Sequence, residues 1–243
     1  MESCIEGIQE KVYPVLERVS AEDQDIVVTH IKNLMLPEEV DYILDNSGTF
    51  EDTQIKGRTS TSSFLKKYKD DVFDCLGKRI STIAGEEFKR SEPFQIVNYN
   101  HEQEYKPHVD SQQNSKVCDE SMNHNYHNMC NMDGKYTKRN KTVFAYLKAD
   151  GLEHQTCGGS TSFPLVKNKD GEELHVYPVV GDAVMWNNTK PNGDVNVLSL
   201  HAGNPILCNE ANKVGLNVWF TSEETISNYH NRNGFNVPKY YGE

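Results

Sequence analysis

Val195–Phe220 reads VNVLSLHAGNPILCNEANKVGLNVWF, two alternating runs separated by a turn-forming segment. In the second run Val214, Leu216, Val218 and Phe220 fall on one side, and Lys213, Gly215, Asn217 and Trp219 on the other. That period of two belongs to a strand with two unlike faces. In the first run Val197, Ser199 and His201 share a face opposite Leu198 and Leu200, which predicts a strand over Val195–His201 ending on an inward histidine.

The same period appears upstream in Phe94–Asp110, FQIVNYNHEQEYKPHVD, where Gln95, Val97 and Tyr99 oppose Phe94 and Ile96. Thr142–Leu147, Leu174–Val179, Asp182–Trp186 and Lys213–Phe220 are further predicted strands, separated by Gly-Gly, Gly-Asp and Asn-Gly turns. Helical signals lie before them. Pro37 followed by Glu38 and Glu39 reads as a helix start, with Val40, Ile43 and Leu44 as its buried stripe. Val72, Phe73, Leu76, Ile80 and Ile83 recur at helical spacing over Asp70–Ala84, and Ile5, Ile8 and Val12 fit a short amphipathic helix before Pro14. Ile26-Val27-Val28 and Ile31 read as extended. Helices first and short strands afterwards predict an α+β fold, a double-stranded β-helix (jelly roll) with the early helices packed on one sheet. The expected division is a helical N-terminal extension over 1–25, one domain over 26–222 and a C-terminal tail over 223–243. Within the domain, 111–138 is a long polar loop placed to cover a substrate.

The 243 residues are enough to bury a full core, and the 36% hydrophobic and 25% charged composition is that of a soluble globular chain. A net charge of −11 argues against nucleic-acid or acidic-membrane binding. No apolar run has the length of a membrane span, and the first residues lack a secretory signal, so an intracellular, cytoplasmic protein is the expectation. Six scattered cysteines (Cys4, Cys75, Cys118, Cys130, Cys157, Cys208) without a CxxC are then expected to be free thiols for the most part. Cys118, His124, His127 and Cys130 lie close enough in sequence to bind zinc; a polar loop or one labile disulfide is the plainer alternative.

His108 and Asp110, two apart at a strand end, leave the same face about 7 Å apart along the chain. With His201 they form a set of two imidazoles and one carboxylate, the facial arrangement that holds Fe(II) with open positions for a cosubstrate and O2. A bare HxD is weak evidence among nine histidines, and a strand-end lysine often lies in solvent. Lys213 strengthens the reading, because an inward lysine is costly unless it meets an anion; Tyr99 and Thr161 offer hydroxyl donors to that anion.

YNHEQEYKPHVD, RNKTVFAYLKADGLEHQTCGGSTSFP, VYPVVGDAVMW and DVNVLSLHAGNPILCNEANKVGLNVWF together resemble the prolyl 4-hydroxylase branch of the Fe(II)/2-oxoglutarate dioxygenases, over about Ile26 to Thr221. The resemblance implies His108, Asp110 and His201 as iron ligands. It implies that Lys213 pairs with the distal carboxylate of 2-oxoglutarate, helped by Tyr99 and Thr161. Tyr105, Arg139 and Trp219 match substrate or pocket-wall positions, and Arg58, in the matching RTS segment, carries less weight. The implied reaction consumes 2-oxoglutarate and O2, with ascorbate as a further cofactor, and hydroxylates a proline-containing peptide or protein to 4-hydroxyproline with succinate and CO2. The chain departs from the family pattern at Glu102, where a glycine is usual, at Ser160, where an acid is usual, and in the longer 111–138 loop. Three alternatives stay open: a 2-oxoglutarate oxygenase acting on a free amino acid or another side chain such as lysine, a non-catalytic jelly-roll binding module, and, more weakly, a cupin-type metalloenzyme that uses no keto acid.

Overall fold

A computed structural model describes residues 1–53, 55, 57–111 and 139–222. The elements are β1 (Val15–Arg18), β2 (Val28–Lys32), α1 (Pro37–Asp45), β3 (Glu51–Asp52), β4 (Thr61–Leu65) and α2 (Asp71–Ala84). They are followed by β5 (Phe94–Tyr99), β6 (Tyr105–His108), β7 (Arg139–Asp150), β8 (Thr161–Lys167), β9 (Glu173–Val176), β10 (Ala183–Asn187), β11 (His201–Gly203) and β12 (Asn212–Thr221). Two antiparallel sheets form the jelly roll: a large one in the order β1-β2-β10-β7-β12-β5-β4-β3, and a small one in the order β6-β11-β8-β9.

Alternation along the central strands divides the core in two. Phe94 and Ile96, Val143, Ala145 and Leu147, and Val214, Leu216, Val218 and Phe220 face the helices, where they meet Ile43, Phe73, Leu76 and Ile80. Val97 and Tyr99, Phe144 and Tyr146 face the small sheet and pack with Phe163, Val176, Trp186 and Ile206. The site lies in this second layer.

The helices start and stop by local chemistry. Asp70 caps α2 by accepting from the backbone N–H of Val72 and Phe73, each at 3.0 Å, and Gly85 closes it in the left-handed region at φ 68°. Pro37 opens α1, and Glu39 turns back to accept the N–H of Leu36 at 2.9 Å. Glu39 is wholly buried and joins the helices through Arg79, whose Nη1 and Nη2 reach its two carboxylate oxygens at 2.6 and 2.7 Å.

Three expectations are corrected. The first 25 residues contain no helix: Gly7 adopts φ +84°, the N–H of Val12 donates to the carbonyl of Met1, and β1 joins the large sheet beside β2. Val195–His201 is not a strand. Asn196 accepts the N–H of Leu198 and nucleates a 3-10 turn over Val197–Ser199, so His201 begins β11 rather than ending a strand. Four cysteines are not free thiols but form the bridges Cys4–Cys75 and Cys157–Cys208, with Cα–Cα separations of 5.6 and 4.9 Å. The proposed zinc cluster at Cys118, His124, His127 and Cys130, the rest of the lid beyond Ser111 and the 223–243 tail lie outside the described residues.

Candidate metal and cosubstrate site

Pairing of β6 with β11 puts His108 directly opposite His201, and their ring centroids are 4.3 Å apart. Asp110, two residues past the end of β6, turns its carboxylate between them: Oδ1 is 3.7 Å from Nε2 of His108 and Oδ2 is 3.8 Å from Nε2 of His201. All three ligand atoms lie within 4.8 Å of one another.

Main-chain oxygens set the tautomers. Nδ1 of His108 is 2.8 Å from the carbonyl of Lys106, and Nδ1 of His201 is 2.9 Å from the carbonyl of Ser199. A carbonyl only accepts, so each Nδ1 carries the proton and each Nε2 presents a lone pair. Burial first, then the neighbouring His201, pushes the His108 imidazole toward its neutral form. Burial alone would raise the Asp110 carboxyl, but the two imidazoles, Arg139 and the Thr142 hydrogen bond hold it below the usual carboxylate range. Two lone pairs and an ionised carboxylate therefore converge at separations too long for hydrogen bonds. Such a donor set suits a cation, and two nitrogens with one oxygen fit Fe(II).

The carboxylate is held from its other side. Oδ2 of Asp110 accepts from Thr142 Oγ1 at 2.7 Å and from Trp219 Nε1 at 2.9 Å, and Nδ2 of Asn188 donates to Thr142 Oγ1 at 2.7 Å. Among these partners sequence reasoning found Trp219 alone; Thr142 it read only as a strand residue.

Lys213 lies in the same cavity, with His108, Asp110, His201, Tyr99, Tyr105, Thr161 and Trp219. It pairs in register with Tyr99, is 0% exposed, and its Nζ lies 4.7 Å from the Tyr99 ring centroid. The amine donates to the carbonyl of Gly159 at 2.6 Å, and burial lowers its pKa to about 7. No ion pair with a described residue compensates that burial, so the amine fits an incoming anion. Tyr146 donates its hydroxyl to Thr161 Oγ1 at 3.0 Å, which leaves the threonine proton for another acceptor.

The remaining expected residues divide. Tyr105 stacks on His108 with centroids 3.5 Å apart, and burial pushes its hydroxyl up to about 12. Arg139 is not among the cavity-lining residues. Its Nε and Nη2 hold Glu92 at 2.6 and 2.8 Å, and its guanidinium lies 3.7 Å from the Trp219 ring centroid. Arg58 does line the cavity. It is buried, packs 5.1 Å from the Tyr105 centroid, donates from Nε to Ser60 Oγ, and has no hydrogen-bond partner at Nη2. Its RTS segment was the only sequence signal for it. Phe144, Trp186 and Asn217 also line the cavity and had no such signal.

Comparison with known proteins finds relatives and fold neighbours named as prolyl hydroxylases. Over 208 residues the chain is 27% identical to Prolyl 4-hydroxylase 5 of Arabidopsis thaliana, covering 80% of this chain and 64% of that protein. Over 185 residues it is 28% identical to Prolyl 4-hydroxylase subunit alpha-1 of Caenorhabditis elegans, covering 75% of this chain and 29% of that one. It thus spans less than two thirds of either relative. The viral collagen prolyl hydroxylase of Paramecium Bursaria Chlorella virus-1, solved with 2OG, shares the fold at a TM-score of 0.58 and 20% identity, over 81% of this chain and 96% of that one. A prolyl-4-hydroxylase from Pseudomonas putida does so at a TM-score of 0.53 and 17% identity, over 81% and 92%. Residues 94–221, from the first strand of the inter-sheet layer to the end of β12, match the family profile described as 2OG-Fe(II) oxygenase superfamily, and the chain belongs to that superfamily.

Proposed function

We propose that the protein is an Fe(II)- and 2-oxoglutarate-dependent dioxygenase that hydroxylates prolyl residues of a peptide or protein, giving 4-hydroxyproline, succinate and CO2. The observation carrying this reading is the convergence of His108, Asp110 and His201 in one cavity with a buried, uncompensated Lys213. A non-catalytic binding module has no physical use for that lysine. The names of the sequence relatives support proline as the target.

In this reading His108, Asp110 and His201 hold the iron through Nε2, a carboxylate oxygen and Nε2. Lys213 takes the distal carboxylate of 2-oxoglutarate, with Thr161 and Tyr99 beside it. When bound, iron with the keto acid and O2 supplies oxidative decarboxylation coupled to C–H hydroxylation. The chain's own residues provide placement and dryness. Thr142 and Trp219 fix the carboxylate plane, Phe144 and Trp186 wall the cavity against water, and Tyr105 and Arg58 form the wall that meets substrate.

Incubation with Fe(II), ascorbate, 2-oxoglutarate and proline-rich peptides should add one oxygen to proline and release succinate in equal amount. His108→Ala and Asp110→Ala should abolish both; undiminished succinate in either variant refutes the ligand assignment. One observation favours a second reading. The unpartnered Nη2 of Arg58 would take the carboxylate of a free amino acid as readily as a peptide carbonyl, so free proline and lysine belong in the same screen. Among the described residues no helix is long and apolar enough to cross a membrane. The two disulfides weigh toward an oxidising compartment.

A further inference from the structure

Two loops meet beside Lys213, one leading into β8 and one joining β11 to β12. They are stitched by Leu207 N–H to the Cys157 carbonyl (2.8 Å), Gly159 N–H to the Pro205 carbonyl (3.0 Å) and Asn204 N–H to the Ser160 carbonyl (2.9 Å). The approach is closer than a side chain permits: a Cβ on Gly158, at φ +74°, would stand 2.2 Å from the Pro205 oxygen. The Cys157–Cys208 bond joins the same two loops, and Cys157 is two residues from Gly159, whose carbonyl holds the Lys213 amine at 2.6 Å.

We propose that the Cys157–Cys208 bridge is a positioning element for the cosubstrate anchor, fixing the Gly159 carbonyl against Lys213, and that its reduction weakens 2-oxoglutarate binding. The inference rests on the 2-oxoglutarate reading above. Its physical basis is the Gly158–Gly159 pair. Glycines have the widest backbone freedom and contribute no side-chain packing, so hydrogen bonds between the loops, including Asn204 Nδ2 to Ser160 Oγ at 3.0 Å, and one covalent link hold the turn. With the link open the carbonyl leaves its place in part of the ensemble, and the ammonium loses the acceptor that aims it. Reduction by a dithiol proceeds by thiolate attack on one sulfur, release of the other as a thiol and closure of the reagent into its own disulfide. Two electrons and two protons pass to the cysteines. Cys208 is partly exposed while Cys157 is buried, so Cys208 is the more accessible half of the bridge.

The test titrates 2-oxoglutarate calorimetrically into Mn(II)-loaded protein, oxidised or reduced by dithiothreitol with reduction verified by alkylation and mass spectrometry, and into Cys157→Ser/Cys208→Ser. Opening the bridge should weaken 2-oxoglutarate binding by about tenfold, the size of one displaced charge-assisted hydrogen bond. Mn(II) affinity, measured with the metal alone, should stay unchanged, and Cys4→Ser/Cys75→Ser should bind 2-oxoglutarate normally. Unaltered 2-oxoglutarate affinity after verified reduction overturns the proposal. So does loss of the far-UV circular dichroism signal in both the reduced protein and the double variant, since the bridge then holds the fold and not the anchor. Oxidised protein that binds Mn(II) but no 2-oxoglutarate refutes instead the cosubstrate reading on which the inference stands.

Discussion

The indole Nε1 of Trp219 donates to Oδ2 of Asp110 across 2.9 Å, so one residue both walls the cavity and aims the carboxylate proposed to hold the iron. Trp219→Phe keeps most of the ring and removes the donor. Loss of such an outer partner typically costs about 10- to 100-fold in metal affinity. Titration with Fe(II) or Mn(II) should show a weakening of that size, with 2-oxoglutarate affinity at saturating metal nearly unchanged.

Lys213 gives the site a pH signature. Its folded pKa is lowered to about 7, while an unfolded lysine titrates near ~10.4. Between these values the unfolded chain binds more protons, so this group's contribution to stability rises with pH across that window. Below about pH 7 the full cost of burying the ammonium is present. The proposed binding of the dicarboxylate at Lys213 has the opposite demand, because it needs the charged amine. The apparent Kd for 2-oxoglutarate should be flat below about pH 7 and rise by as much as tenfold per unit above it. Calorimetric titration over pH 6–9 checks the slope, and Lys213→Arg, which keeps its charge, should flatten it.

Gly215 on β12 lies under the Phe144 ring, and a Cβ there would stand 2.1 Å from the ring tip. Gly215→Ala must displace Phe144, which lines the cavity with Lys213. The substitution should cost about 1–3 kcal/mol by denaturant melt and raise the KM for 2-oxoglutarate.

Glu39 and Arg79 form a buried two-pronged pair, and neither residue lines the cavity. Burial pushes the Glu39 carboxyl up, but Arg79 and the N–H groups of Cys4 and Leu36 bring it below its ordinary value. The folded pKa is therefore depressed, and the stability it contributes is present above about pH 4.5 and lost on acidification. Glu39→Ala should cost about 3–5 kcal/mol in thermal or denaturant unfolding while activity per folded molecule holds.

The sequence made legible whatever depends on period and on side-chain chemistry. Alternation placed Val97 and Tyr99 opposite Phe94 and Ile96, and Lys213 opposite Val214, as the two core layers require. The Pro37 and Asp70 starts and the convergence of His108, Asp110 and His201 were legible for the same reason. Illegible were features decided by main-chain partners distant in sequence. The N-terminal segment carries helical spacing, but Arg79 Nη2 takes the carbonyl of Glu2 at 2.7 Å and Cys75 takes Cys4, so tertiary ties override it. The Val195–His201 alternation was misleading because the Asn196 side chain supplies a nearer partner than any strand. Arg139 matched by position, but its two hydrogen bonds to Glu92 and its place over the Trp219 ring depend on partners distant in sequence that the match does not reveal.

The imidazole protons of both histidines rest on the oxygens of Lys106 and Ser199, which belong to the peptide units themselves. Replacing either side chain leaves that oxygen where it is. Descendants of this chain can therefore vary at positions 106 and 199 without scrambling which nitrogen would face a bound ion. Only an insertion, a deletion or a shift of the backbone at those two points would do so.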